Sequence, residues 1–556
     1  MWILALMLPA LAAFALMSRL PGLTAFYLLR QDGLVLAGLM GLLAAAALPT
    51  SHGVAFALPQ VRLTYGRVAL AAGSITLLLW AGTYLLLDNY PLTRDEHMVV
   101  FDMGVFRRGH LATALPVEWR YYANALIPAF LLQLPANAAW VSAYMPGNAM
   151  LRTAFGAALD PALFNPMLAG IGGVALFDIA RRLFPERLGT QAVALLMYAT
   201  SAQVLVTAMT TYAMTAHLAV NLLWLALYLR STRAGHAGAI VIGFVGIGLH
   251  QVIFHPLFAA PFVVELWRNR QRRTAAAYAI SYAIFGLFWL SYPHLVAASA
   301  GLEASAGSTS GSGGYIADRI LPLLTSRDPE TLPLMAANMI RFLTWQNLAL
   351  CPLMMLSGPA LRRGEGIARP LAYGLLLTFL AMAIVLPYQG HGWGYRYLHG
   401  LVGSCALLAA YGWREFSDRQ EVQTFVRLAT LATMFGSLPF LLWQAHRFVD
   451  PYARVNRMIE HIGADIVVVE TEGSSFAIDE VRNDADLSNR PLRLAGKNLS
   501  VEDIAVLCRR GSVAFVDVTQ MHAAGLGVLE EPVSPHFRAL RQAADASQCA
   551  GSSTAR

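Results

Sequence analysis

The chain has 556 residues, of which 57% are hydrophobic and only 13% charged, with a mean hydropathy of +0.52. A water-soluble chain carries about 25% charged residues, so a soluble globular enzyme is excluded and a polytopic membrane protein is expected. Net charge is +7 and Lys497 is the only lysine; the arginines sit in short clusters between apolar blocks, a membrane-topology pattern that excludes nucleic acid as a partner.

From the N-terminus, Met1 to Leu16 is apolar with no basic residue ahead of it, so it reads as a retained span and not as a cleaved signal. Blocks long enough to cross a bilayer, about 20 residues each, fall at 2–19, 34–49, 68–87, 163–181, 190–208, 212–230, 237–251, 253–267, 275–295, 335–357, 371–388, 397–413 and 425–444. The 237–267 pair is short and contains Pro256 and Pro261, which predicts a tilted or broken hairpin. The expected fold class is an all-α polytopic membrane bundle of about 13 transmembrane helices with a small C-terminal α/β soluble domain.

Orientation follows from arginine. Arg181, Arg182 and Arg187 fill one short connection, and Arg230 and Arg233 another. The Arg268–Arg273, Arg362–Arg369 and Arg414–Arg419 clusters follow, each where strict alternation puts the same side. That side is cytoplasmic by the positive-inside rule. The loops 88–162, 296–334 and 388–396, and everything after 445, are then outside.

The first outer loop opens on Asp95 and Glu96, an acidic pair at the mouth of a span. A carboxylate is costly in hydrocarbon, so the pair is either a functional group or a solvated loop charge. Between Ala114 and Asp160 short apolar and polar pieces alternate with prolines, predicting amphipathic helices on the membrane surface. The tract Ala304–Gly314 is Gly/Ser-rich and reads as a slack linker or a mobile lid. After His446 the composition changes: Asp465–Glu470 and Ser512–Asp517 read as strands and Val501–Arg510 as a helix. The residues from Asp545 to Arg556 read as disordered. Cys351 and Cys405 fall in apolar segments as small core residues, while Cys508 and Cys549 in the tail are a candidate disulfide.

At the outer ends of the spans His, Tyr and Arg are in surplus: Tyr212, His217, His250, His255, and the stretch Tyr388–His399 with His391, Arg396 and Tyr397. Singly, a histidine near a helix end is usually a packing residue. Several helices presenting such groups at one level predict a polar chamber open to the outside. A carboxylate there can act as a base on a hydroxyl, and an arginine's planar fork suits a phosphate. His250 and His255 are five apart and do not share a helical face, so no metal is assigned; whether a divalent ion is needed is left open.

Taken in order, Arg94-Asp-Glu-His97 with Phe101 and Arg108-Gly-His-Leu111, then Ala143-Tyr-Met-Pro-Gly-Asn148, resemble a known family. Asn165-Pro-Met-Leu leading to Ile179–Phe184, then Met209–His217 and Arg396-Tyr397, continue the pattern. The chain resembles the bacterial dolichyl-phosphate-mannose-protein mannosyltransferase-like proteins, type-C glycosyltransferases akin to the aminoarabinose transferase of lipid A. Three positions depart from the family: Ala143 replaces a frequent lysine, Met145 a proline and Asn148 a histidine. Arg152, one turn on, is the residue that could stand in for the lysine.

The resemblance implies a polyprenyl-phosphate sugar donor, a lipid, glycan or protein acceptor, and a bacterial inner membrane with the active site and C-terminal domain on the periplasmic side. It implies Asp95 as base or acceptor-positioning carboxylate and Glu96 as a secondary acid. It makes Arg396 a ligand of the lipid phosphate, with Tyr144, Tyr212, His217 and Tyr397 as pocket residues. The expected domains are 1–67 (two additional N-terminal helices), 68–445 (the type-C-like core with outer loop 88–162) and 446–556 (extracytoplasmic α/β domain). Two rival readings are a transporter or flippase for lipid-linked sugars and a non-catalytic scaffold; the absence of an internal repeat weighs against the first.

Overall fold

The computed structural model describes residues 23–47, 63–126, 130–132, 134–299, 330–474, 476–526 and 533–549. The expected span at 2–19, the Ala304–Gly314 tract and the last seven positions, 550–556, lie outside these. Within the described residues, each expected apolar block falls mainly on helix.

Length and composition suffice for a crossing in six of these helices: Leu23–Ala45, Tyr65–Leu85, Pro161–Leu183, Arg272–Ser299, Ala368–Val385 and Gln420–Glu460. A seventh arises if Leu188–Ala199 and Ala202–Ala208, bent by 51°, are one broken span. Among the described residues six or seven helices therefore have the length and composition for a crossing, against the thirteen apolar blocks expected, and the remaining blocks fall on shorter or interrupted helices. Met214–Tyr228 and Arg233–Gly248 have 15 and 16 residues, which at 1.5 Å per residue is short of a hydrocarbon core about 30 Å thick. The expected 237–267 hairpin is this second helix followed by Phe254–Arg268, with Pro261 inside the latter. Pro256 falls in its first turn, where a missing N–H costs nothing.

The lipid-facing surface is written in exposed apolar residues. On Arg272–Ser299, Ile280, Ile284 and Leu287 are each more than half exposed, at the i, i+4, i+7 spacing of a single helical stripe. On Tyr65–Leu85, Leu70, Leu77, Leu78 and Leu85 do the same. Such stripes would be a liability in water and are the natural outer face of a membrane bundle.

Two compact units emerge. The first comprises Met1–Leu86, Ala162–Leu290 and Ser310–Ala445, the helical bundle. In it the expected span 335–357 is interrupted: Thr331–Thr344 ends, and a new helix runs Leu350–Met355. This gap and the break at residues 200–201 satisfy each other. Gln203 N–H donates to Trp345 O at 3.0 Å, Ser201 Oγ donates to Gln346 Oε1 at 2.7 Å, and Asn347 Nδ2 donates to Thr200 Oγ1 at 2.8 Å. Irregular backbone survives in a bundle only where such partners exist.

The second unit joins Leu87–Pro161 and Ser291–Thr309 to His446–Arg556, so the loop 88–161 and the tail fold together. A two-residue antiparallel pair, β1 (Thr113–Ala114) with β2 (Ala139–Trp140), lies in the loop. In the tail β3 (Ile466–Val469), β4 (Leu492–Ala495) and β5 (Val513–Val516) form a parallel sheet in the order β4–β3–β5, every residue buried. The helix Val501–Cys508 between β4 and β5 starts at a capping box, Ser500 with Asp503.

One core runs through this unit: Met98, Phe101, Tyr122, Leu126 and Trp140 of the loop pack with Ile466, Leu494, Val513, Phe515 and Phe537 of the tail. The alternating stretch 114–160 holds two short 3-10 turns (Val117–Tyr122 and Pro135–Asn137), a four-residue helix (Ala123–Leu126), β2 and a ten-residue helix (Gly147–Gly156); of its apolar side chains Tyr122, Leu126 and Trp140 bury in this core, while Tyr121 and Phe130 are exposed. The reading of disorder from Asp545 onward is corrected for 545–549, because Asp545 and Ala546 end the helix Pro535–Ala546 and Cys549 is paired with Cys508.

The disulfide spans 41 residues, with its Cα atoms 5.5 Å apart. A cross-link closing a loop of that size is worth about 2–4 kcal/mol by restricting the unfolded chain. Cys549→Ser is expected to lower the stability of the tail by that amount, read as earlier proteolysis after Arg538 or Arg541 under mild heating. Unchanged proteolytic resistance would show that the pairing adds nothing to the fold.

Candidate functional site

In the bundle, four of the expected residues line one cavity. His217, His250, Arg396 and Tyr397 surround it together with Met214, Asn221, Phe254, Thr378, Gly400 and Leu401. Arg396 begins a 3-10 turn, Arg396–Leu401, that leads into the helix Val402–Phe416. Its guanidinium rests between two rings, 5.2 Å from the Tyr397 centroid and 5.9 Å from that of Tyr212, and Nη2 donates to Tyr397 Oη at 3.3 Å.

What holds Arg396 there is a set of amides. Gln389 Oε1 accepts from the Arg396 backbone N–H at 3.1 Å, and Gln389 Nε2 donates to Gly394 O at 3.0 Å. Gln203 Nε2 donates to Tyr395 O at 2.8 Å while its Oε1 accepts from Gln346 at 2.7 Å. Gly394 has φ +69°, and a Cβ there would lie 2.6 Å from Gln203 Oε1, so the turn needs glycine on both counts. Asn221 Nδ2 donates to Gly400 O at 2.8 Å.

The other expected histidines sit elsewhere. His255 is fully buried, bonded through Nδ1 to Asn221 Oδ1 and through Nε2 to Tyr282 Oη, both at 2.8 Å. It stands behind the cavity wall, braced to Asn221. His391 bonds Tyr27 Oη through Nδ1 and packs edge-on against Trp393, beside a different cavity lined by Tyr27, Asp32, Asn338 and Arg341.

A cleft of opposite character marks the far end of the same bundle. Arg187, Arg363 and Arg414 line it with Glu365 and Glu415, so three of the arginine clusters grouped on one side by alternation do converge. Arg414 lies in the last turn of the helix Val402–Phe416, which follows the Arg396 turn directly and whose 15 residues span about 22 Å. The histidine cavity and the arginine cleft therefore occupy opposite ends of the bundle.

The acidic residues belong to the second unit. Asp95 is partly buried and accepts from the Tyr144 phenol. Tyr144 stacks on Phe130 at 5.2 Å, and its backbone N–H donates to Ser142 Oγ at 3.2 Å. The Ser142 hydroxyl in turn bonds the carboxylate of Asp102. Asp95 and Asp102, seven apart on the helix Arg94–Arg107, thus both reach the strand-like segment 142–144.

Glu96 is only 2% exposed and its carboxylate is committed locally. It closes a capping box with Thr93, accepting the Thr93 N–H at 3.4 Å, and lies beside Arg152. Arg152 is 1% exposed, donates to Pro161 O at 2.7 Å and neighbours Glu96 and Asp160. Burial lowers its pKa to about 10, against the pull of those two carboxylates. Both residues act as buried ties between helices in this arrangement. Among the described residues no cluster of three or more His, Cys, Asp or Glu side chains could hold a metal ion.

The sequence matches no protein-family model and no curated protein. Among solved structures, it is similar to the crystal structure of ArnT from Cupriavidus metallidurans bound to undecaprenyl phosphate, at TM-score 0.50 and 12% identity, over 83% of this chain and 88% of that one. The apo state of the same protein aligns at TM-score 0.47 and 12% identity, over 75% and 84%. The likeness is one of fold alone: a helical bundle with a small strand-containing C-terminal region, as the sequence leads one to expect.

Burial raises the Asp102 carboxyl from its ordinary 3.8 to about 7, with the Ser142 hydroxyl opposing the shift. A folded-state pKa above the unfolded value means that stability is full below about pH 4, declines as pH rises toward 7, and is constant above. Three pH units correspond to about 4 kcal/mol. Asp102→Asn is expected to raise the melting temperature at pH 8 and to change it little near pH 4.5. Equal effects at both pH values would show that Asp102 is ordinarily ionised in the fold.

Proposed function

We propose that the chain is a membrane glycosyltransferase that moves a sugar from a polyprenyl-phosphate donor to an acceptor on the extracytoplasmic side, with inversion at the anomeric carbon. The observation that carries this reading is the cavity that gathers Arg396, Tyr397, His217 and His250 at the end of the bundle opposite the arginine cleft. By the positive-inside rule that cleft is cytoplasmic and the cavity faces outward. The fold likeness to a protein crystallised with undecaprenyl phosphate supports a lipid phosphate as the ligand.

In this mechanism the acceptor hydroxyl oxygen attacks the anomeric carbon from the face opposite the phosphate. The bond from that carbon to the phosphate oxygen breaks, the bonding pair leaves with the lipid phosphate, and the acceptor proton passes to Asp95. Tyr144, donating to Asp95, orients the carboxylate. Arg396, held between Tyr212 and Tyr397, meets the charge that develops on the leaving phosphate. A preorganised contact of this kind is worth about 3–4 kcal/mol, or on the order of 10²–10³ in rate.

The test is chemical. The protein in detergent, given a polyprenyl-phosphate sugar and a mixed lipid extract as acceptor, is expected to release polyprenyl phosphate. Asp95→Asn is expected to abolish release while leaving the protein monodisperse. Arg396→Lys is expected to reduce release by on the order of 10²-fold, since an ammonium cannot reproduce the two-pronged contact. Full turnover by the Asp95 variant would remove that residue from the role. Movement of intact donor across a vesicle membrane without lipid phosphate release would favour a flippase.

A further inference from the structure

The start of the helix Arg94–Arg107 and the residues just before it are gripped by five consecutive residues of the C-terminal tail, 478–482. Arg94 is buried and spends its donors there. Nε pairs with Asp479 Oδ1 at 3.1 Å, Nη1 donates to Val481 O at 3.3 Å, and Nη2 donates to Ile478 O at 2.5 Å. The Asp479 carboxylate also receives the Arg94 backbone N–H, one of the amides that the first turn of a helix leaves without a partner.

The residues just before Arg94 are held by the same segment. Tyr90 Oη donates to Glu480 Oε1 at 2.7 Å, and the Arg482 guanidinium lies 4.1 Å above the Tyr90 ring. Arg482 also donates from Nε to Asp479 O at 2.6 Å and from Nη2 to Leu92 O at 3.4 Å. The segment itself is anchored to the sheet, because Asn483 Oδ1 accepts from Arg493 N–H at 2.9 Å and its Nδ2 donates to Arg493 O of β4 at 2.8 Å.

Successive residues of an α-helix point about 100° apart around its axis. Fixing the Arg94 guanidinium therefore fixes the rotation of the first turn, and with it the direction of the Asp95 carboxylate toward Tyr144. Rate is sensitive to that direction: a misplacement of about 1 Å at a reacting group can cost on the order of 10²-fold.

We propose that Asp479 and Arg482 are positioning residues for Asp95: the tail's 479–482 segment clamps the first turn of the Asp95 helix, so the C-terminal domain sets catalytic geometry without touching substrate. This rests on the reading of Asp95 as the base. It assigns to the tail a role inside the reaction machinery, where its small sheet on its own suggests only an appended module.

The full-length protein in detergent is compared with Asp479→Asn, Arg482→Gln and a control, Arg541→Ala, which removes a different tail ion pair, Arg541 with Asp517 at 3.1 Å. Two readouts are taken: the kinetics of polyprenyl phosphate release, and amide hydrogen exchange at residues 94–98. Asp479→Asn is expected to lower kcat at least tenfold with KM for donor within about twofold, and to speed exchange at 94–98 at least tenfold. Arg482→Gln, which leaves the buried ion pair in place, is expected to give a smaller change in the same two quantities, and Arg541→Ala to change neither. Should Asp479→Asn fail to fold, Arg482→Gln decides alone. Faster exchange with undiminished kcat would overturn the positioning role, as would an equal loss in the control, and unaltered exchange would overturn the clamp. If the wild-type protein releases no lipid phosphate, the transferase reading is what fails, and exchange still decides whether the tail holds the helix.

Discussion

Gln203 is the side chain on which the bundle's polar end depends. Its amide oxygen accepts from Gln346 in the gap of one interrupted helix, and its amide nitrogen donates to Tyr395 O beside Arg396. Its own backbone N–H is taken by Trp345 O. In a medium without water each of these groups would cost several kcal/mol if left unpaired. One glutamine therefore joins two helix breaks to the turn that presents the cavity's guanidinium. The breaks are not defects in two spans; they free the backbone and side-chain groups that the turn needs as partners.

The second unit solves a related problem with arginine. Arg94, Arg152 and Arg493 are each no more than 5% exposed, and each has its guanidinium shared among carbonyls and carboxylates: Arg94 with Asp479, Arg152 with Glu96 and Asp160 nearby, Arg493 with Asn456 Oδ1, Glu480 O and Glu460. A buried guanidinium is tolerable because its planar fork can satisfy several acceptors at once, whereas removing one partner strands the charge. The near absence of lysine suits this architecture, since a single ammonium could not span acceptors on three segments.

Much of this was legible in the sequence, and the part that was not has a physical explanation. Apolar blocks announce helices whatever surrounds them, and arginine clustering announced which connections converge, as Arg187, Arg363 and Arg414 do. The strands β3 and β5 were readable because four successive buried-type residues stand between turn signals. β4 was not, because Arg493 interrupts the pattern and its partners are Asn456 and Glu480. Arg396, Tyr397, His217 and His250 were readable as polar groups at helix ends. Gln203, Gln389 and Asn221 were not, since an amide in an apolar run has no local signature and their partners lie up to 192 residues away. His255 was readable as unusual, yet only its bonds to Asn221 and Tyr282 reveal a brace.

The same reasoning explains how the helix Leu23–Ala45 is attached. Between helices in lipid the hydrophobic effect supplies little, so association rests on packing and on interhelical hydrogen bonds. Leu28 and Leu36 pack against Leu334, Ala337 and Ile340, contacts that lipid tails could replace at small cost. The polar contacts are harder to replace. Asp32, 3% exposed, accepts from Thr344 Oγ1 at 3.1 Å and Trp345 Nε1 at 3.2 Å, and Arg341 lies 3.7 Å over the Tyr27 ring while donating to Gly392 O. A π turn over Leu28–Asp32 carries both Asp32 and Gln31 inward. Since Trp345 also supplies the carbonyl that receives Gln203, the residues that dock this helix are continuous with those that fix the Arg396 turn. A helix attached at that point is therefore part of what keeps the cavity's polar frame closed to lipid, and its acid is better understood as a fastening than as a second reactive carboxylate.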